Sequence, residues 1–305
     1  MPEISIVIPA FNRAHCLPRA LESIRRQNMD GLEIVLGDDA STDDTVTVAL
    51  REWPGLKVAR LERNCGAAAA RNAALELTTG EWIAFLDSDD EWLPGKLSRQ
   101  IAALKADPSI AYCATSHMYV RRDGGRREVR VLESQPGERH LQGALPFHGA
   151  STPLVRRSLW QSLGGQDERL RVLEDWDWAL RASSKHRLCV LPDPLALIHE
   201  NSPSHPDATV SSTRLFLEKH RESIRAFGAL HEREVVSRHW ENAGRCLLRH
   251  NRPGAGCRLL WKSLLAAPLR NPSLATAFPI ALADRVCGSR VLRRIMALRG
   301  GYSIV

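Results

Sequence analysis

The sequence predicts an α/β protein: a mostly parallel sheet with helices on both faces, followed by a wholly helical region. Three observations lead there. Short Ile- and Val-rich runs alternate with helical stretches through residues 3–105. Acidic clusters stand where apolar runs end. Beyond residue 201 the strand patterns stop.

Glu3 to Pro9 is a short apolar run, the pattern of a buried strand. Leu17, Ala20, Leu21 and Ile24 recur at helical spacing, with Pro18 in the first turn, so 17–27 reads as a helix. Residues 32–36 give a second strand, 43–52 a helix capped by Ser41 or Thr42, and 56–61 a third strand. The Ala-rich stretch 66–77 is helical by propensity and is stopped by Thr78-Thr79-Gly80. A strand at 81–86 and a helix at 94–105 complete the series, which right-handed crossovers turn into a parallel sheet. Residues 110–120 and 128–132, around Asp123-Gly124-Gly125, read as a hairpin. Short helices at 158–163 and 176–183 and strands at 188–191 and 195–199 follow. Ser202 to Pro206 reads as a linker, and helical segments lie at 211–228, 231–250, 254–267 and 273–298. The predicted domains are 1–205 and 206–305.

The composition, 44% hydrophobic over 305 residues, is that of a globular protein. No apolar run reaches about 18 residues, so no spanning helix is predicted. The longest candidate, 271–283, holds Pro272 and Pro279. The first residues carry no basic n-region, which argues against a signal peptide. Seven scattered cysteines without a C-x-x-C pair fit reduced thiols in a cytoplasm, not a disulfide frame or a zinc site. Residues 201–305 carry 17 Lys and Arg against 7 Asp and Glu, a net +10, while the whole chain is +7 and residues 1–200 are −3. Such a tail suits an anionic partner or simple solubility.

Three segments lie at carboxyl ends of strands and so face one crevice: Pro9 to Arg13, Asp38 to Asp44, and Asp87-Ser88-Asp89-Asp90. The first holds neither G-x-G-x-x-G nor a P-loop, which excludes those two modes of nucleotide binding. Asp87 and Asp89 offer hard oxygen ligands to Mg²⁺ or Mn²⁺, ions that share their shell with substrate phosphates. A solvated acidic turn is the competing reading, with Asp90 capping the next helix.

The ordered set S-I-V-I-P-A-F-N-R, G-D-D-A-S-T-D-D-T, A-A-A-R-N-A-A and F-L-D-S-D-D-E-W-L-P-G-K-L resembles the family 2 glycosyltransferases of the GT-A fold. The likeness continues at Gly164 to Glu168, at Glu174-Asp175-Trp176-Asp177 and at Ile198-His199, and covers roughly residues 3–205. It implies transfer of a sugar from a nucleotide diphosphate sugar, UDP-sugars favoured, with inversion at the anomeric carbon. The setting it implies is cell-surface polysaccharide or glycolipid synthesis.

Under that resemblance Asp39 reads the base, because a carboxylate accepts from an imide N–H. Pro9 and Phe11 shape the wall beside it, and Arg71 contacts base or diphosphate. Asp89 holds the divalent metal; Asp87, with Ser88 beside it, contacts ribose or the metal's water. His199 completes the metal's shell. Asp175 is the single general base that inversion needs, with Glu174 raising its pKa by repulsion; Glu174 and Asp177 are rival bases. Trp176 is an acceptor-side platform or lid, while Trp178 belongs to the core. Gly165, with Gly164, lets the backbone approach the sugar or simply ends a helix. Ser204 and His205 lie on a loop that could close over the donor.

The partners this implies are a nucleotide-sugar donor and a saccharide or lipid-linked acceptor. Nucleic acid is not expected as a partner and is the weaker idea for the basic tail, since aromatics do not interleave it beyond Trp240 and Trp261. The amphipathic stretch 259–265, with Arg285, Arg290, Arg293, Arg294 and Arg299 further on, fits a cytoplasmic protein resting on an anionic membrane. It also fits helices that dock on the core and turn their arginines to water. A sugar-1-phosphate nucleotidyltransferase is the rival enzyme, but it calls for a Gly-rich basic loop after the first strand that Ala10 to Arg13 lacks. A non-catalytic nucleotide-sugar-binding protein is the other rival.

Overall fold

Strand β1 (Ile4–Ala10) is buried along its whole length, as an Ile/Val run covered on both faces must be. It pairs in parallel with β2 (Leu32–Asp38) on one side and with β4 (Trp82–Phe85) on the other, and β2 pairs with β3 (Lys57–Arg60). The crossovers are α1 (Leu17–Arg25), α2 (Thr45–Glu52) and α3 (Ala67–Glu76). Alanines let α3 lie close to the sheet, and Gly37 completes the fit: a β-carbon there would stand 2.2 Å from the Ala70 carbonyl oxygen. Neither Ser41 nor Thr42 caps α2; the N-cap is Asp44, and Asp43 Oδ1 accepts from the Thr45 N–H.

The computed structural model describes residues 3–131, 142–144, 147–200 and 205–268. Contacts divide the chain into two units, Met1–Pro203 and Ser204–Val305.

The remaining elements of the first unit are β5 (Glu91–Trp92), α4 (Lys96–Ala106), β6 (Ile110–Val120), β7 (Arg126–Val129), β8 (Leu154–Arg156), α5 (Arg157–Leu163), α6 (Glu174–Ser183) and β9 (Arg187–His199). The sheet order is β3-β2-β1-β4-β8-β6-β9-β5, with β7 on β6. The half around β1 is parallel. Beyond β4 the sheet is mixed, because β8 inserts antiparallel between β4 and β6. Residue patterning does not reveal β5 or β8, which are too short to show a period. β9 is one strand where the sequence reads two. Its prolines, Pro192 and Pro194, fall where β6 and β9 slip register, the irregular stretch of a sheet where proline is tolerated.

The second unit contains α7 (Pro206–Lys219), α8 (Arg221–Ala226), α9 (Ala229–Arg249) and α10 (Pro253–Ala266). The single helix read over 211–228 starts earlier and breaks at His220, whose ring packs on Phe216 at 4.7 Å. α9 and α10 meet at Gly244 and Gly256, where β-carbons would press on Leu260 and Leu248. Ser204 and the helix read over 273–298 lie outside the described residues. No described helix is long and apolar enough to cross a membrane.

Candidate active site

The site begins where β1, β2 and β4 end. Asn12, with φ at +54°, turns the chain after β1 in a conformation that asparagine tolerates. Its Oδ1 accepts from the Thr42 N–H at 2.8 Å, and its own N–H donates to Ser41 Oγ, so the first two strand tips are tied together. Asp39 follows β2 and is 4% exposed. Its carboxylate accepts from the Cys65 N–H at 2.6 Å and the Gly66 N–H at 2.8 Å, at the start of α3. Two lone-pair directions remain for a ligand donor. One opening beside it, about 480 Å³, is lined by Ala40, Ser41, Thr42, Arg60, Leu61 and Glu62. A second, about 350 Å³, is lined by Arg63, Asn64, Cys65, Glu168 and Arg171. Pro9 is buried in β1, whereas Phe11 is 40% exposed.

Asp87 to Asp90 leave β4 in different directions. Asp87 is half-buried and takes Arg71 Nη2 at 2.7 Å; Ser88 is buried. Asp89 Oδ2 stands 4.0 Å from Arg13 Nη2, and its carbonyl accepts from Arg19. Asp90 does not cap α4, whose N-cap is Gly95. It is 2% exposed, accepts from the His199 N–H at 3.0 Å and from Ser151 Oγ at 2.5 Å. Burial first, then repulsion from Asp87 and Asp89, pushes its carboxyl well above the usual range. His199 turns its Nε2 to Glu91 Oε1 at 2.8 Å, and burial and Arg19 lower its pKa.

The expected metal set of Asp87, Asp89 and His199 is therefore not the one brought together. The described residues instead gather Asp87, Asp90 and a ring nitrogen of His148, with ligand atoms within 4.8 Å of one another. Two carboxylates and an imidazole fit a divalent cation chemically, and Asp87 is common to both sets. His148 was missed by sequence reading. So was Ser151, whose Oγ accepts the Asp87 N–H at 3.1 Å while it donates to Asp90, and whose carbonyl accepts from Trp92 Nε1 at 2.7 Å. Behind His148, at 6.0 Å between rings, His117 is 2% exposed with neither nitrogen partnered. Burial holds its pKa near 3.

On the other side, α6 opens with Glu174 and Asp175. A β-carbon on Gly149 would lie 2.5 Å from Asp175 Oδ2, so only glycine lets the 147–151 segment sit against that carboxylate. Arg71 is 2% exposed. It forks between Asp87 and Glu174 Oε1, the latter at 2.9 Å, with Gln166 Oε1 at 3.1 Å. Burial works to lower the Arg71 pKa, but Asp87 and Glu174 outweigh it and hold the guanidinium charged. Glu174 is pushed up to about 7, by burial first and Asp175 second, against the pull of Arg71.

The rest of α6 is packed. Asp177 is fully buried and paired with Arg181 at 2.9 Å, away from a base's task. Trp178 stacks on Trp160 at 4.6 Å, a core position. Trp176 is 7% exposed, which makes it a wall and not an open platform. Gly165 is explained by Asn72: a β-carbon would meet its Oδ1 at 2.5 Å.

The profile described as Glycosyl transferase family 2 matches residues 5–164. The succinoglycan biosynthesis protein ExoO of Rhizobium meliloti is 31% identical over 245 residues, 72% of this chain and 69% of its own length. An uncharacterized glycosyltransferase of Haemophilus influenzae is 28% identical over 58% of this chain, and the match spans only 61% of that relative. Among solved structures, S. aureus TarS 1–349 in complex with UDP-GlcNAc superposes with a TM-score of 0.66 at 22% identity, over 94% of this chain and 88% of that one. The mannosyltransferase PcManGT of Pyrobaculum calidifontis, in complex with GDP-Man and Mn²⁺, gives 0.57 at 22% identity, over 97% and 79%. These likenesses identify the GT-A fold. With more than half of its length matched and the acids of the ordered motifs at one sheet edge, the chain belongs to glycosyltransferase family 2.

Proposed function

We propose that this protein is an inverting, metal-dependent glycosyltransferase that moves a sugar from a UDP-sugar to an acceptor hydroxyl in cell-surface polysaccharide or glycolipid synthesis. The observation that carries this reading is a dipeptide. A ring nitrogen of His148 stands within 4.8 Å of the Asp87 and Asp90 oxygens, and the next residue, Gly149, abuts the Asp175 carboxylate. Donor-side acids and a candidate base thereby border one dipeptide.

Asp39 accepts the base's imide N–H while its other lone pairs stay on the α3 N-terminus. Pro9 and Phe11 flank the base. Asp87, with Ser88, Asp89, Asp90, His148 and His199 around it, would hold Mg²⁺ or Mn²⁺; the ion, when bound, stabilises charge on the departing diphosphate. Asp175 takes the proton from the acceptor hydroxyl. The acceptor oxygen bonds to the anomeric carbon from the face opposite the diphosphate. The carbon–oxygen bond to phosphate breaks, and its electron pair leaves with the nucleoside diphosphate. Gly165, Glu174 and Trp176 border the acceptor side.

In the second unit, Arg258, Trp261, Lys262 and Leu265 are exposed at helical spacing on α10, a basic and apolar stripe suited to an anionic membrane carrying a lipid-linked acceptor. A donor panel tests the reading. Titration with UDP-, GDP- and dTDP-sugars in Mn²⁺ or Mg²⁺ should show metal-dependent binding strongest for UDP. Turnover should release nucleoside diphosphate with an inverted anomer; pyrophosphate release would point to a nucleotidyltransferase instead.

A further inference from the structure

Arg71 carries more structure than a nucleotide contact requires. It is 2% exposed, on α3, and three of its hydrogen bonds run to different segments: Asp87 after β4, Glu174 at the start of α6, and Gln166 in the turn after α5. A planar fork fixes the distance between the groups it holds, which a lysine's point charge cannot do. The neighbouring Asn72 pins the same turn, accepting from the Gln166 N–H and donating to its carbonyl, each at 2.9 Å. Two consecutive residues of α3 therefore clamp the approach to α6, and one of them also holds a donor-side carboxylate.

We propose that Arg71 is a positioning residue that locks the Asp175-bearing turn of α6 against the donor carboxylate Asp87, and that it does not read the nucleotide. The proposal rests on the glycosyltransferase reading above. Its consequence is specific. The gap between acceptor oxygen and anomeric carbon depends on how Asp175 sits relative to Asp87, and a misplacement on the order of 1 Å costs about 100-fold in rate. The proposed nucleotide contacts at the tips of β1 and β2 and at the α3 N-terminus lie outside the fork, which reaches the donor side only through Asp87.

The test uses the full chain as wild type, Arg71→Lys, Arg71→Gln and Glu174→Gln. Calorimetry with UDP and Mn²⁺ reads affinity, and turnover of a UDP-sugar, with water as acceptor if no other is known, reads kcat and donor KM. The expected result is UDP affinity within about threefold of wild type in every variant. Turnover should fall about 100-fold in Arg71→Gln at unchanged KM, with only partial recovery in Arg71→Lys. Glu174→Gln preserves shape and loses one tine's charge partner, so it should lose turnover without affinity. It carries the test should Arg71→Gln lack a cooperative unfolding transition. Loss of UDP affinity in step with turnover, or wild-type turnover in Arg71→Gln or Glu174→Gln, overturns the proposal. A wild type that binds no nucleotide in any metal overturns the glycosyltransferase reading first, and this one with it.

Discussion

On the donor side, Asp39 and Asp87 leave the ends of β2 and β4, the two strands that flank β1 in the parallel half-sheet, and rest on backbone N–H groups or a buried arginine. On the side of Asp175, the proposed base, the helix is reached after β8 has reversed the sheet's direction; Gly149 packs against its carboxylate and the Arg71 fork holds its neighbour Glu174. The first half is built by chain topology and the second by tertiary packing. A site made this way should respond differently to substitutions on its two sides: donor-side changes should move affinity, base-side changes should move rate.

The largest separation is expected at Asp175. Asp175→Asn should lower turnover by about 100- to 10,000-fold while UDP binding in Mn²⁺ is retained. Parallel loss of binding would mean the two halves are not distinct. Asp39→Ala should do the reverse, weakening UDP by about 10- to 100-fold in calorimetry, since it removes a charged acceptor from the base and strands the Cys65 and Gly66 N–H groups.

Ser151→Ala probes the seam between the halves. Ser151 is fully buried, and its loss leaves the Asp87 N–H without its acceptor and Asp90 Oδ2 without its donor. Denaturant unfolding should show a loss of about 1–3 kcal/mol. A pH dependence adds a further reading. Glu174 is raised from 4.5 to about 7 in the folded protein, so the fold binds its proton more tightly than the unfolded chain does. Its contribution to stability is full below the unfolded value and is lost as pH rises through about 7. Glu174→Gln should flatten the stability profile in that window, as thermal unfolding from pH 4 to pH 8 would read.

The same contrast explains what the residues disclose by themselves. The β1–α3 series is legible because β1 and β2 are apolar runs rich in Ile and Val and the acidic segments fall at strand ends. Asp39 and Asp87 follow from that. His148, Gly149 and Ser151 are invisible, because their importance comes from a three-residue strand, β8, that carries no period and from contacts made across the sheet. Arg71 is visible as a charged residue on an Ala-rich helix, but its direction is not: burial against Asp87 and Glu174 is a tertiary fact. Asp90 reads as a cap for the same reason that it fails to be one, since only the fold brings the His199 N–H and Ser151 to it.

The central claim is that the strand-tip acids and Asp175 enclose one nucleotide-sugar and cation site. A crystal structure with UDP and Mn²⁺, the ion located by anomalous scattering, tests it most directly. The account predicts the uracil imide at Asp39, the ion on Asp87 against the diphosphate, and the Asp175 carboxylate opening onto the same cavity. An ion or a uracil bound away from those carboxylates, or a diphosphate walled off from Asp175, would contradict it.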